Sequence, residues 1–260
     1  MPGSLAAVRI ARFVTPSSSL SWGVVEGDEV AAIEGHPFAS IRFGGSRWPL
    51  ADVRLLSPVL PSKVVAVGRN YADHAAEMGD EVPATPLIFM KPSTSVIGTG
   101  DVIRLPACSK QVEHEAELAV VIGIPAKDVA PDKALDHVLG YTAANDVTAR
   151  DQQRADGQFT RAKSYDSFCP LGPWVETVLD PSDLRVTATV NGETRQDGRT
   201  SQMVHRIPEL ITFVSQVMTL LPGDVILTGT PAGVGPLQDG DSVSVEIEGI
   251  GTLTNAVRAR

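Results

Sequence analysis

The sequence predicts an α+β fold that is mostly β, and three observations carry that prediction. Short apolar or alternating runs, bounded by Gly, Pro, Ser and Asp, recur along the 260 residues. Sustained helical spacing is convincing in one long stretch, where Ile207, Leu210, Ile211, Val214, Val217, Met218 and Leu221 fall on one face. Strands and long helical patterns do not alternate as a doubly wound parallel sheet requires. The length suits one mid-sized domain with a small appendage.

The elements follow in order. "VRIARFV", "SWGVVEG" and "EVAAIEG" read as short strands separated by Ser-rich or Gly/Asp turns, which makes residues 1–57 a small β-rich N-terminal domain. The two prolines of "SPVLPSK" mark a boundary, and 58–260 is the second unit. "VVAVG" is a buried strand, and "YADHAAEMG" is a short helix closed by Gly79. "LIFM" and "HEAELAVVIG" are strands, and "PDKALDHVLGYTAAND" is a helix followed by a strand from Gly140. A polar stretch comes next, and residues 184–198 then form a hairpin turning at Asn191-Gly192. Pro208 suits the first turn of the long helix, and Pro222-Gly223 ends it. "DVILTGTPAGVG" is a strand running into a glycine-rich loop, and "DSVSVEIEGIGTLTNAV" closes the chain with strands.

Composition narrows the function classes. With 43% hydrophobic and 20% charged residues the chain is a soluble globular protein. Its net charge of −9 and the lack of a basic tract argue against nucleic acid, so any small anion must be drawn in by local cations. Cys108 and Cys169 have no ligand spacing and read as reduced thiols. The N-terminus lacks a continuous apolar core of a secretory signal, and no run approaches the roughly 20 apolar residues of a membrane span. A cytoplasmic protein is expected.

"KQVEHEAELAVVIG" places Glu113, Glu115 and Glu117 at every second position before a buried strand, so that three carboxylates share a face. Taken alone this is equally a solvated strand edge. Asp146, at the end of the run "YTAAN", either caps a turn or joins the glutamates in an all-oxygen cage. Such a cage, without Cys or a His pair, favours Mg²⁺, Mn²⁺ or Ca²⁺ over Zn²⁺. His74 and Glu77 lie three apart on a predicted helix, as an acid–base pair or as an ordinary surface contact. Arg69 in the preceding turn has the chemistry to clamp a carboxylate, and Lys91 and Lys163 beside turn residues have the charge to stabilise one or an enolate. "LTGTPAGVG" lacks the phosphate-loop pattern and "VVAVGRN" lacks the dinucleotide one. The glycine-rich loop reads instead as a close backbone approach to a small ligand, with Thr230 and backbone N–H groups meeting a carboxylate.

The set "GRNYADHAAEMG", "FMKPSTSVIG", "VEHEAELAVVIG", "GYTAANDVTARDQQ", "RAKSYDSFCPLGPW", "VNGETRQDG" and "LPGDVILTGTPAGVGPLQDGD" resembles the fumarylacetoacetate hydrolase family, from about Val64 to the C-terminus. The resemblance implies a mixed β-sandwich roll, assembled as a homodimer, with a short β-rich extension in front. It implies Mg²⁺ or a similar ion on Glu115, Glu117 and Asp146, leaving Glu113 solvated or salt-bridged. It makes His74 and Glu77 an acid–base dyad and Lys163 the group that stabilises an enolate. Arg69, Thr230 and Lys91 then bind substrate. The implied chemistry starts from a 2-oxo acid or acylpyruvate chelated through its 1-carboxylate and 2-oxo oxygens. It proceeds by C–C hydrolysis or decarboxylation, or alternatively by isomerisation. "KSYDSFCPLGPW" is closest in character to bacterial members of aromatic meta-cleavage pathways, which act on 2-hydroxymuconate-type dienoates. For the distal carboxylate of such substrates Arg150, Arg154 and Arg161 are candidates. A non-catalytic 2-oxo acid binder is the alternative from another class, although it would have no use for the His74–Glu77 base. If His74 is the base, activity falls as it gains a proton.

Overall fold

The computed structural model describes residues 8–39 and 41–260, so the first part of the N-terminal segment read above for a signal lies outside the described residues. Among the described residues the largest element is a 12-stranded sheet. Ten strands form its main path, Phe43–Pro49, Glu29–Ile33, Leu20–Glu26, Arg9–Val14, Cys169–Glu176, Val138–Asn145, Ala116–Ile122, Val225–Leu227, Val64–Gly68, Leu87–Lys91, and off it Arg54–Leu55 pairs with Arg9–Val14 and Val96–Ile97 with Cys169–Glu176. Arg9–Val14 pairs antiparallel with Cys169–Glu176, so strands from before residue 57 extend the sheet formed after it. A 5-stranded sheet is built from Glu193–Arg199, Arg185–Val190, Ser242–Ile247, Gly251–Ala259 and Val102–Leu105.

The two sheets pack face to face. Leu118, Val120, Ile122, Tyr141 and Ala143 of the large sheet meet Val186, Ala188, Val245, Ile247 and Leu253 of the smaller one, with Ile207, Leu210, Ile211 and Val214 of the Ile207–Val217 helix closing the layer. Alternate residues of the same strands, Ala119, Val121, Ala144, Val225 and Leu227, point the other way into a second core. Both faces of the Ala116–Ile122 strand are therefore buried, which explains the apolar run Leu118–Ile122. Glu117 shares the face of Ala119 and Val121.

Several expected elements stand where the sequence places them. The Val64–Gly68 strand is followed by the Ala72–Glu77 helix, which ends at Gly79 with φ of 74°. The Arg185–Val190 and Glu193–Arg199 strands turn at Asn191 and Gly192, both at positive φ as a tight two-residue turn requires.

Other expectations are corrected. The long helix stops at Val217 rather than continuing to Leu221, because Met218 is extended and Leu220 bridges Ala126. Val217 and Leu221 are consequently exposed and Leu220 takes the buried position. "PDKALDH" adopts 3-10 geometry over Pro131–His137, and the next strand begins at Val138 rather than Gly140. The segment is confined between the extended residues Ala130 and Val138, and the His137 carbonyl is taken by the Gly123 N–H at 2.7 Å rather than by a continuing helix. The "polar stretch" contains two short helices, Arg150–Asp156 and Thr160–Lys163, which have no repeating apolar face to announce them. The exposed, glycine-containing strand Phe43–Pro49 likewise gives no alternation.

Candidate active site

The opening acidic segment is two strands rather than one. Val112–His114 belongs to a small three-stranded sheet, Ala116–Ile122 belongs to the large one, and Glu115 sits at the break. The ladder bonds missing at the break are supplied by buried amides. Asn145 Oδ1 accepts from the Glu115 N–H at 3.0 Å, and Gln196 Oε1 accepts from the Ala116 N–H at 2.9 Å. Asp146 follows the strand paired with Ala116–Ile122, and its N–H donates to the Glu115 carbonyl at 2.9 Å. This register brings Glu115, Glu117 and Asp146 together, with one oxygen of each within 4.8 Å of the others and all three side chains buried.

Three cations surround these acids. Lys163 Nζ donates to Glu115 Oε2 and to Asp146 Oδ2, both at 2.7 Å. Arg150 reaches Glu113 at 2.8 Å and Glu115 at 2.5 Å, and Lys91 pairs with Asp146. Burial alone would raise the Glu115 carboxyl, but Lys163 and Arg150 outweigh it and hold the group far below the usual carboxylate range. Burial opposes the charge on Lys163 too, and Asp146 and Glu115 overcome it, so the ammonium is held more firmly than usual. Glu117 differs: among the described residues its one hydrogen-bond donor is the Gly229 N–H at 2.6 Å, and no cation pairs with it. Burial, then Asp146, then Glu115 push its carboxyl well above the normal value.

This imbalance tests whether a divalent cation fits. Glu113, Glu115, Glu117 and Asp146 face Arg150, Lys91 and Lys163, so four buried carboxylates meet three cations. The donor set is all oxygen and suits a hard cation such as Mg²⁺ or Mn²⁺. The cluster keeps one net negative charge and its donor chemistry matches, and Glu115, Glu117 and Asp146 are the residues that would hold the ion.

A cavity of about 340 Å³ opens over the triad. His74, Arg69, Lys163, Thr230, Arg150, Gln153 and Arg154 reach it, and Val67, Met78, Phe89 and Phe159 give it an apolar wall. His74 is buried on the Ala72–Glu77 helix with Nδ1 3.3 Å from Glu77 Oε2. Glu77 in turn accepts the Gly233 N–H at 3.1 Å, so the glycine-rich loop orients the dyad. Arg69 occupies the strand-to-helix turn at φ of 58° and pairs with Asp80 at 2.9 Å.

Other sequence-derived residues stand differently from their expected roles. Lys91 is fully buried behind Asp146 and bonds it and the Val147 carbonyl, so it supports an acid and does not face the cavity. Thr230 lines the cavity, but its hydroxyl donates to the Ala116 carbonyl at 2.8 Å and accepts from Gln196 at 2.7 Å. Its proton is therefore not available to a substrate carboxylate. The close backbone approach expected of the glycine-rich loop exists, but the carboxylates it meets are the protein's own Glu117 and Glu77. Glu113 takes the salt-bridged one of its two expected states, paired with Arg150 and buried. Of the distal candidates, Arg161 is paired with Asp156 away from the cavity and Arg150 is engaged by the glutamates. Arg154 reaches the cavity and bonds only the neutral Gln111. Gln153, which lines the cavity and accepts from Arg150 at 2.6 Å, carried no sequence signal beyond its place in the polar stretch.

The chain belongs to the fumarylacetoacetate hydrolase family: residues 63–258 match the model for the fumarylacetoacetate hydrolase C-terminal domain, and residues 8–58 match the Rv2993c-like N-terminal one. It is an enzyme of that family. Protein Rv2993c of Mycobacterium tuberculosis is 56% identical over 259 residues, covering 96% of this chain and 98% of its own. The oxaloacetate tautomerase FAHD2A of Bos taurus mitochondria is 48% identical over 222 residues, covering 80% of this chain and 71% of its own. Among solved structures, a 5-carboxymethyl-2-hydroxymuconate delta-isomerase from Mycobacterium smegmatis superposes with a TM-score of 0.91 at 54% identity, covering 97% of this chain and 100% of that one. A 2-hydroxyhepta-2,4-diene-1,7-dioate isomerase from Mycobacterium marinum does so with a TM-score of 0.91 at 51% identity, covering 97% and 99%. No helix among the described residues is long and apolar enough to cross a membrane.

Proposed function

We propose that the protein is a divalent-metal-dependent isomerase or tautomerase of a 2-oxo dicarboxylic acid or its 2-hydroxy-enoate form. The observation that carries this is the buried triad Glu115, Glu117 and Asp146 with His74 and Lys163 at the same cavity. A Mg²⁺ or Mn²⁺ ion on the triad would supply positive charge for a substrate's carboxylate and 2-oxo oxygens, and Lewis acidity for the charge that develops there. His74, steadied by Glu77, takes a proton from the carbon next to the ketone and returns one elsewhere on the same unsaturated system, so the molecular formula is unchanged. The Lys163 ammonium, kept charged by Glu115 and Asp146, faces the developing enolate. Arg154, which among the described residues is the cavity-lining cation without a carboxylate partner, takes the distal carboxylate. The names of the similar isomerases and the tautomerase support proton transfer as the reaction. C–C hydrolysis or decarboxylation is the second reading, because the cavity also has room for a water beside His74.

The test is to supply oxaloacetate and 2-hydroxyhepta-2,4-diene-1,7-dioate with Mg²⁺, following enol absorbance, deuterium uptake from D₂O, and release of pyruvate. Enol loss with deuterium uptake and no pyruvate supports isomerisation. Stoichiometric pyruvate favours the second reading, and no conversion of either compound, with or without EDTA, refutes both. The expected homodimer is likewise proposed, and light scattering reads it directly.

A further inference from the structure

We propose that Gln196 is the positioning residue that locks the metal-binding strand to the glycine-rich loop, so that one buried amide sets both the metal affinity and the geometry of the His74–Glu77 dyad. The proposal rests on the metal-site reading above. Gln196 belongs to the hairpin motif "VNGETRQDG", on the Glu193–Arg199 strand of the smaller sheet, and is fully buried. It is not among the residues lining the cavity, and it is hydrogen-bonded to its full capacity. Its Oε1 accepts from His114 Nδ1 at 3.1 Å and from the Ala116 N–H at 2.9 Å. Its Nε2 donates to Thr230 Oγ1 and to the Pro231 carbonyl, both at 2.7 Å.

The partners fix which end of the amide is which. The Ala116 N–H can meet only the oxygen, and the Pro231 carbonyl can meet only the NH₂. His114 therefore carries its proton on Nδ1. The oxygen side holds Ala116, between the ligands Glu115 and Glu117, where the strand ladder is broken. The nitrogen side holds Thr230 and Pro231, between Gly229, whose N–H binds Glu117, and Gly233, whose N–H binds Glu77. The contact is tight: a Cβ on Gly233 would lie 2.1 Å from the Arg195 carbonyl oxygen, and one on Gly198 would lie 2.5 Å from Pro231 Cβ. Any slip of the loop from the hairpin carries the Gly229 and Gly233 donors away from Glu117 and Glu77 together.

The test uses the full-length protein and compares wild type with Gln196→Met, which keeps the volume and removes the bonds. Mn²⁺ binding is measured by calorimetry, kcat and KM on the substrate that wild type converts, and thermal stability in EDTA. Loss of a doubly anchored buried amide is expected to weaken Mn²⁺ binding about tenfold or more and to lower kcat by a similar factor with KM nearly constant. Asn255→Leu is the control: Asn255 is a buried amide of the same kind, bonded to the Gly98 and Asp101 carbonyls away from the site. It should lower the melting temperature and leave Mn²⁺ affinity within about twofold of wild type. Should Gln196→Met not fold, Thr230→Val cuts the same link from the loop side and should weaken Mn²⁺ binding. Mn²⁺ affinity unchanged within about twofold in the folded variant overturns the positioning role. Failure of wild type itself to bind Mn²⁺ is a different result, which overturns the metal-site reading and the coupling with it.

Discussion

Replacing Glu117 by Gln should stabilise the metal-free protein while abolishing its response to metal. Glu117 is fully buried, has one backbone donor at 2.6 Å, and is the carboxylate in the cluster with no cation. Its folded-state pKa is raised above the unfolded value. The unfolded chain therefore loses this proton first, and stability is withdrawn as pH rises from the unfolded pKa through the folded one. Gln has no proton to lose, keeps an oxygen for the Gly229 N–H, and adds donors toward Asp146 and Glu115. Removing one uncompensated buried charge of this kind is worth about 1–2 kcal/mol. For a chain of this size that is a rise of about 2–8 °C in melting temperature. Wild type at 100 times its metal Kd should gain about 2.7 kcal/mol from binding, and the variant none. Melts by circular dichroism at pH 5 and pH 8, with EDTA or with Mg²⁺, read both effects, and the gain in EDTA should be larger at pH 8. A variant that melts below wild type in EDTA at pH 8, or that responds to Mg²⁺ as wild type does, would refute the reasoning.

Three further outcomes follow from the same geometry. Because burial and the neighbouring acids raise the Glu117 carboxyl, metal binding should release a proton from it at the acid end of the stability range, so apparent affinity should rise with pH there and calorimetry in buffers of different ionisation enthalpy should show net proton release. His74→Gln should cut kcat about 10²- to 10⁴-fold while Mn²⁺ still binds, because the imidazole is not a ligand. The exposed Cys108 thiol is held below the usual thiol range by its hydrogen-bond contacts with Tyr165 and Gln152, whereas burial pushes the Cys169 thiol up to about 12. Iodoacetamide at pH 8 should therefore add one label to the native protein and two after denaturation, by intact mass.

Alternation in the sequence puts Glu113, Glu115 and Glu117 on one face before an apolar run, with Asp146 ending another, and the family resemblance selects Glu115, Glu117 and Asp146 from these. The Val64–Gly68 strand, the Ala72–Glu77 helix and the Asn191-Gly192 turn were legible for the same reason: period and turn chemistry are local properties. The tertiary structure alone decided what those residues touch. Nothing in "HEAE" says that the strand breaks at Glu115, that amides from Asn145 and Gln196 mend the break, or that Arg150 is the partner that makes Glu113 salt-bridged. Lys91 and Lys163 look alike in sequence, yet one lies behind Asp146 and the other faces the cavity, because depth is set by how two sheets pack. The helix that stops at Val217 shows the same limit, since its apolar period continues past the point where Leu220 pairs with Ala126. The sequence by itself determined the strands and the ligand chemistry. Charge balance, burial and the partners of the site's carboxylates depend on residues as far as 156 positions apart, as between Glu77 and Gly233, and those only the folded chain brings together.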